Sequence, residues 1–404
     1  MDSPIKPFEI NIPDAKLSKL QTKLRSAEFP DENTLSDSWE YGVPVSDMKR
    51  LVDYWQNGFN WREQEKILNS KLPQFTTSID IDGFGPLDIH FVHQKSTRKD
   101  AIPLVFCHGW PGSFLEVLKV LPLLTNPLDP SHPSFHVVAP SLPNFGFSDG
   151  PTKPGFAFNQ YAETLHKLML KLGYARYATQ GGDWGFAITR NLGVLYPSHI
   201  IASHINFTWC RAPTFLNHPL LYLQSLSLFL SEEEKKGLAR TKWFYEKGFG
   251  YNSLQSTKPS TIGLGLTDSP VGLLSWIYEK LHDWTDNYPW TDDEILTWVS
   301  IYLFSKAGAA ASVRIYYETT NAEPRDERIL EYNGAVKLGC SVFPADLVVS
   351  PRAYVRTLGR VVFERRHGSG GHFAAWEKPG ELVGDLGDMF GRGGLDVKVD
   401  LGES

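Results

Sequence analysis

A chain of 404 residues is long for one domain, so one large core carrying an added subdomain is expected, and a closed site can be buried within it. The formal net charge is -6 with no long run of one sign, so the basic stripe that phosphate backbones or anionic membranes require is missing and nucleic acid is excluded as an expected partner. Apolar residues make up 42% and charged residues 21%; the aromatic share of 13% suggests a pocket with aromatic walls as well as an aromatic core.

The opening Met1-Asp2-Ser3-Pro4-Ile5-Lys6-Pro7 has no charged n-region followed by an apolar run and no stretch long enough for a bilayer, so a soluble, cytoplasmic chain without a membrane anchor is expected. Leu17, Leu20 and Leu24 recur at helical spacing, and Met48, Leu51, Val52 and Trp55 form a second apolar face. Turn residues Asp82-Gly83-Phe84-Gly85-Pro86 separate the alternating runs Ser78 to Ile81 and Leu87 to Val92, which predicts a hairpin. Residues 1–95 are read as an extension leading into the first strands.

A different rhythm begins in 96–206. Leu104 to Cys107, Phe135 to Ala139, Tyr177 to Gln180 and His199 to Ala202 are short, mostly apolar runs separated by helix-length stretches, the pattern of parallel strands covered on both faces. Over 207–321 helix starts replace the strand signal. Ser231-Glu232-Glu233-Glu234 and Thr291-Asp292-Asp293-Glu294 read as capping boxes, and Ser269-Pro270 as a cap before a first-turn proline, so a helical lid is expected. In 322–404 the core resumes with Ser341 to Phe343 and Arg360 to Phe363. Leu382, Leu386 and Met389 predict a closing helix, although Gly384 and Gly387 weaken it. Cys107, Cys210 and Cys340 lie far apart, which fits reduced, buried thiols better than disulfides or a metal site. The sequon Asn206-Phe207-Thr208 is read as a chance match.

Gly181-Gly182-Asp183-Trp184-Gly185 stands between a strand and the helical run Phe186 to Tyr196, in the frame Gly-x-nucleophile-x-Gly of a strained strand-to-helix turn. Serine usually occupies the third position. A carboxylate there displaces a leaving group from saturated carbon and forms an ester of its own side chain, which water must then cleave. His108-Gly109-Trp110-Pro111-Gly112-Ser113 follows a strand where this fold places an oxyanion loop. A tight turn, with a cis Trp110-Pro111 bond as one form of it, would aim the Trp110 backbone N–H at the nucleophile, and the Trp184 N–H would be the second donor. His108 can be read as a base, but a structural hydrogen-bonding role suits this loop better. His372, in Gly370-Gly371-His372-Phe373, follows the last strand as the general base of this fold does. Asp346, in Phe343-Pro344-Ala345-Asp346-Leu347, follows the preceding strand and can orient the imidazole. An unperturbed histidine near pKa 6.5 would be neutral enough to deprotonate water. Asp385 and Asp388 come after the histidine and are read as solvated charges on a surface helix.

Together, His108 to Ser113, Gly181 to Gly185, Phe343 to Leu347 and Gly370 to Ala375 resemble the microsomal-type epoxide hydrolases, including their soluble fungal members, from Pro7-Phe8-Glu9-Ile10 to the last helix. The resemblance implies an α/β-hydrolase fold with a wrapping N-terminal segment, a helical lid and a homodimer. It implies a small-molecule epoxide as substrate, a vicinal diol as product, and no cofactor or metal. It also implies two lid tyrosines on the epoxide oxygen, Tyr251 in Gly250-Tyr251-Asn252 and Tyr316 in Arg314-Ile315-Tyr316-Tyr317-Glu318; Tyr316 and Tyr317 cannot both face one pocket from a helix. The nearest rival is a haloalkane dehalogenase, which shares the ester logic but stabilises halide through N–H donors; the tyrosine pair disfavours it. A binding protein that kept the fold and lost turnover is the reading from another class. The Gly391-Arg392-Gly393-Gly394 tail suggests no role.

Overall fold

The structure is a computed structural model and describes residues 3–31, 35–323, 327–391 and 394–395; Met1, Asp2, Arg392 and Gly393, which enter the sequence reading, lie outside them. The N-terminal part runs β1 (Lys6–Phe8), α1 (Asp14–Arg25), α2 (Val45–Asn57) and α3 (Trp61–Lys71), then the hairpin β2 (Gln74–Ile81) and β3 (Gly85–Gln94). Leu20 and Leu24 are buried on α1, and Met48, Leu51, Val52 and Trp55 on α2, as their spacing predicts. The hairpin is longer than the alternating runs suggest, because Gln74 and Phe75 still pair with Val92 and Phe91.

The core continues with β4 (Ile102–Cys107), α4 (Val117–Thr125), β5 (Phe135–Pro140), α5 (Phe158–Lys171), β6 (Tyr177–Gly181), α6 (Trp184–Leu195) and β7 (Ile200–Ile205). Every residue of β4 and β6 is buried, which fits their reading as mostly apolar runs. His199, expected in a strand, lies in a 3-10 turn that begins at Pro197, and the strand starts only at Ile200. Proline has no N–H for a central ladder, so pairing waits until the turn is complete.

Between β7 and β8 (Asn333–Val342) stand, among the described residues, seven α-helices: α7 (Pro219–Gln224), α8 (Glu232–Trp243), α9 (Gly250–Thr257), α10 (Pro259–Asp268), α11 (Pro270–Asp283), α12 (Asp292–Leu303) and α13 (Arg314–Thr320). Both expected capping boxes form, on Ser231 with Glu234 and on Thr291 with Glu294, and Ser269 accepts from the Gly272 N–H at 2.9 Å. The chain closes through α14 (Arg352–Val355), β9 (Gly359–Arg366), α15 (Ala374–Glu377) and α16 (Pro379–Phe390). Among the described residues nine strands form one sheet in the order β1-β2-β3-β5-β4-β6-β7-β8-β9, antiparallel from β1 to β5 and parallel from there to β9. This is the α/β-hydrolase arrangement, a mostly parallel sheet with helices, and the Gly181–Gly185 turn lies at the carboxyl end of central β6.

One expectation is corrected. Asp385 is buried, not solvated: it accepts from Arg365 Nη1 at 2.8 Å and His367 Nε2 at 2.7 Å, and also bonds Ser341. The reason is that α16 packs on β8 and β9, so the face carrying Asp385 meets the sheet. Asp388 is exposed as expected and pairs with Arg365 at 2.8 Å.

The N-terminal extension clasps the insertion. Arg50 on α2 pairs with Asp292 at 2.5 Å and Tyr54 donates to Asp293 at 3.0 Å, while α1 and α2 both pack on α11. Half-exposed pairs of this kind contribute about 0–1 kcal/mol each, so the apolar faces beneath them carry most of the joint.

Candidate active site

Asp183 sits between β6 and α6 with φ 50 and ψ -128, a strained conformation outside the αL well that non-glycine residues rarely adopt. Small residues around it are a packing requirement: a Cβ on Gly185 would collide with the Cys107 carbonyl at the end of β4. The turn therefore presses α6 onto β4 and leaves the Asp183 side chain projecting from the sheet edge.

The loop after β4 meets that carboxylate. The Trp110 backbone N–H donates to Asp183 Oδ1 at 2.7 Å, and the Trp110-Pro111 bond is cis. A Cβ on Gly109 would strike the same carboxylate. The insertion holds the loop, since the Trp298 indole donates to the Pro111 carbonyl and the Tyr302 hydroxyl to the Gly112 carbonyl, each at 2.5 Å. The Trp184 backbone N–H opens α6 at the first helical position, where it has no partner from the preceding turn. His108 uses both ring nitrogens on backbone: Nδ1–H donates to the Gly109 carbonyl at 2.9 Å and Nε2 accepts from the Leu142 N–H at 3.2 Å. Burial pushes its pKa down to about 4, so its place is structural.

His372 completes the line. Its Nε2 lies 3.4 Å from Asp183 Oδ2, and its Nδ1 is 2.6 Å from Asp346 Oδ1. Asp346 is buried and fixed by the Leu347 N–H at 2.7 Å, while Arg240 of α8 donates to the carbonyls of Ala345 and Asp346. The His372 N–H donates to the Trp284 carbonyl at 2.7 Å, which ties the histidine loop to the insertion. Burial works against a charge on His372, but the Asp346 and Asp183 carboxylates outweigh it and push its pKa up to about 10. The unperturbed imidazole assumed from the sequence is thus corrected: two flanking carboxylates favour the imidazolium.

Asp183 opens onto a cavity of about 570 Å³ walled by Phe158, Trp184, Phe207, Phe244 and Phe249, the aromatic lining that composition suggested. Tyr251 and Tyr316 also line it, from α9 and α13, with ring centroids 5.8 Å apart. A π-helical turn, Phe244–Gly248, leads into α9. Tyr316 is 1% exposed and its hydroxyl lies beside the Trp184 indole and the Tyr251 hydroxyl, whereas Tyr317 is 41% exposed. Burial raises both cavity phenols well above the ordinary tyrosine value, so they are donors at neutral pH. All seven residues singled out from the sequence, Trp110, Asp183, Trp184, Tyr251, Tyr316, Asp346 and His372, therefore converge on one place.

Sequence reasoning missed Glu116 and Asn206, which border a small second cavity beside Asp183 and His372. The only sign of Glu116 is one acid inside the apolar run Phe114-Leu115-Glu116-Val117-Leu118. Asn206 was noticed only as a sequon, and its burial removes it from modification. Among the described residues no cluster of three or more His, Cys, Asp or Glu is placed to hold a metal ion, the three cysteines are free, and no helix is long and apolar enough to cross a membrane.

Known proteins agree with this geometry. A family model described as epoxide hydrolase N terminus matches residues 5–117, and one described as alpha/beta hydrolase fold matches 102–212. The Aspergillus niger epoxide hydrolase structure is 38% identical with a TM-score of 0.84, covering 95% of each chain. The Bombyx mori juvenile hormone epoxide hydrolase structure is 29% identical with a TM-score of 0.85, over 95% of this chain and 93% of that one. Epoxide hydrolase 1 of Sus scrofa is 34% identical over 416 residues, 96% of this chain and 89% of that protein. The similarity sets aside the dehalogenase reading. By sequence, fold and site together, the chain belongs to the epoxide hydrolases of the α/β-hydrolase fold.

Proposed function

We propose that this enzyme converts epoxides to vicinal diols through an ester on Asp183. Asp183 Oδ2 attacks an epoxide carbon, the C–O bond breaks, and Tyr251 and Tyr316 donate to the leaving oxygen. The alkoxide's proton comes in net from the His372 imidazolium, relayed by the phenols and solvent. Esterification removes the Asp183 charge, so one of the two groups that hold the proton on His372 is gone and neutral imidazole becomes the resting form. His372, oriented by Asp346, then takes a proton from water as the oxygen adds to the Asp183 carbonyl carbon. The oxyanion forms at Oδ1, against the N–H groups of Trp110 and Trp184. Its collapse breaks the bond between the Asp183 carbonyl carbon and Oδ2 and expels the diol, whose oxygen takes the proton that His372 received from water, and Asp183 then gives its acid proton to the imidazole.

The observation that carries this reading is the clamping of one carboxylate: Oδ1 is 2.7 Å from the Trp110 N–H and Oδ2 3.4 Å from His372 Nε2. Aromatic walls favour apolar epoxides with an aryl or alkyl body. Residues 207–321 act as the lid, supplying both tyrosines and the bonds that hold the oxyanion loop. No cofactor is required by this chemistry. A second copy of the chain is the partner assigned to the apolar surface at 215–229, and a cytoplasmic location goes with the reading. Single turnover in ¹⁸O-labelled water tests the ester directly: label is expected in the Asp183 carboxylate and not in the diol. Asp183→Asn should lower turnover about 10³-fold or more; unchanged turnover, with reversion by deamidation excluded by mass, would end the proposal.

A further inference from the structure

Asp183 borders a second cavity of about 10 Å³, bounded also by Gly109, Gly112, Glu116, Asn206 and His372. Space of that size for the centre of a water-sized sphere suits about one water molecule. Asp183 is the one described residue that lines both this cavity and the aromatic one, so the two spaces meet its carboxylate separately.

Most of the polar side chains around the small cavity are accounted for. Asn206 Oδ1 accepts from Gln180 Nε2 at 2.6 Å, and His372 spans Asp183 and Asp346. Glu116 is different: among the described residues its carboxyl has no ion pair and no hydrogen bond to another side chain, and the Ser113 backbone N–H is the hydrogen bond that favours its charge. It ends the 3-10 turn Phe114–Glu116, capped by Ser113 Oγ, which accepts from the Leu115 N–H at 3.2 Å. The oxyanion loop thus runs straight into the turn that aims this carboxyl. A Cβ on Gly112 would collide with Glu116 Oε1, so glycine at that position is what lets the carboxyl pass. Burial pushes its pKa up to about 8, with the His372 charge pulling it back and Asp183 adding to the rise. A partly buried acid without a cation bonded to it costs stability, and groups kept at such a cost gather at reactive sites.

We propose that Glu116 is a further catalytic residue of the hydrolytic half-reaction: its carboxyl and His372 Nε2 together hold the attacking water in the small cavity. The inference rests on the ester reading above. One water hydrogen points to Nε2, which removes it, and the other to a Glu116 oxygen, which only accepts. A lone pair is then directed at the carbonyl carbon of esterified Asp183. Glu116 neither gains nor loses a proton, and water arrives from the side opposite the alkyl group, which still fills the aromatic cavity.

Rapid-quench single turnover with a styrene-type epoxide, following the Asp183 adduct by intact mass, separates formation of the ester from its hydrolysis. Glu116→Met keeps the bulk and removes the acceptor; ester formation should stay within about twofold while hydrolysis slows roughly 10–100-fold and the adduct accumulates. Glu116→Gln keeps a neutral acceptor and should restore hydrolysis to within about fivefold. Hydrolysis at the parent rate in Glu116→Met, equal slowing of both steps, or no recovery in Glu116→Gln would each overturn the proposal. If Glu116→Met does not fold, Gly112→Ala displaces the intact carboxyl and should slow hydrolysis alone; equal loss in both steps counts against the role. Absence of any adduct in the parent enzyme would instead remove the ester mechanism and the Glu116 role with it.

Discussion

Tyr316 and Tyr317 are neighbours in sequence with opposite surroundings, 1% and 41% exposed, because successive residues of α13 point about 100° apart. The Tyr316 phenol faces the cavity of Asp183 beside the Tyr251 hydroxyl and the Trp184 indole, where the proposed mechanism has it donate to the epoxide oxygen. Tyr316→Phe should slow ester formation about 10²-fold, read as stopped-flow quenching of tryptophan fluorescence, and leave hydrolysis of preformed ester near the parent rate. Tyr317→Phe should change neither rate; a loss there equal to that of Tyr316→Phe would show that the helix face has been assigned wrongly. Asp385 and Asp388 carry the complementary lesson. Both were charges on a helix, and only the packing of α16 on the sheet distinguishes the buried hub from the exposed partner.

At the scale of elements, local signals were legible wherever side chain and backbone meet within a few residues. Ser231, Ser269 and Thr291 start their helices as read, and the hairpin turns at Asp82 to Gly85. Strand limits were less legible, as at His199 and Gln74, because the ends of a strand depend on what its neighbour offers for pairing. Around α7 an unusual surface appears: Phe215, Leu216, Leu220, Leu223, Leu228 and Phe229 are all exposed. Exposed apolar side chains gathered in one stretch of chain make it the candidate surface for association. Sedimentation velocity should find a dimer for the parent enzyme and a monomer for the double substitution Leu216→Lys and Leu220→Lys, with folding unchanged by circular dichroism; a monomeric parent would refute the assignment.

Across the whole molecule, the site is where three separate parts of the chain are tied together: the core turn at Asp183, the histidine loop held by the Trp284 carbonyl, and the insertion clasped by α2. Its charge couples to folding. The pKa of His372 is raised, to about 10 from the ordinary 6.5, so its contribution to stability is complete below about pH 6.5 and is lost as pH rises through about 10. Chemical unfolding of the parent and His372→Gln should therefore converge as pH goes from 6 to 10.5. The parent would lose on the order of a few kcal/mol more than the variant, and parallel curves would contradict the coupling.

By itself the sequence determined the α/β rhythm, the helical insertion, the acid at the nucleophile turn and the histidine after the last strand, because each depends on residue types held at fixed short spacings. The fold alone decided that Glu116 reaches a water-sized space past Gly112, that Asp385 is buried, and that His372 favours its charged form. Those facts depend on distances between residues far apart in the chain and on the removal of water around them, neither of which spacing along the chain encodes.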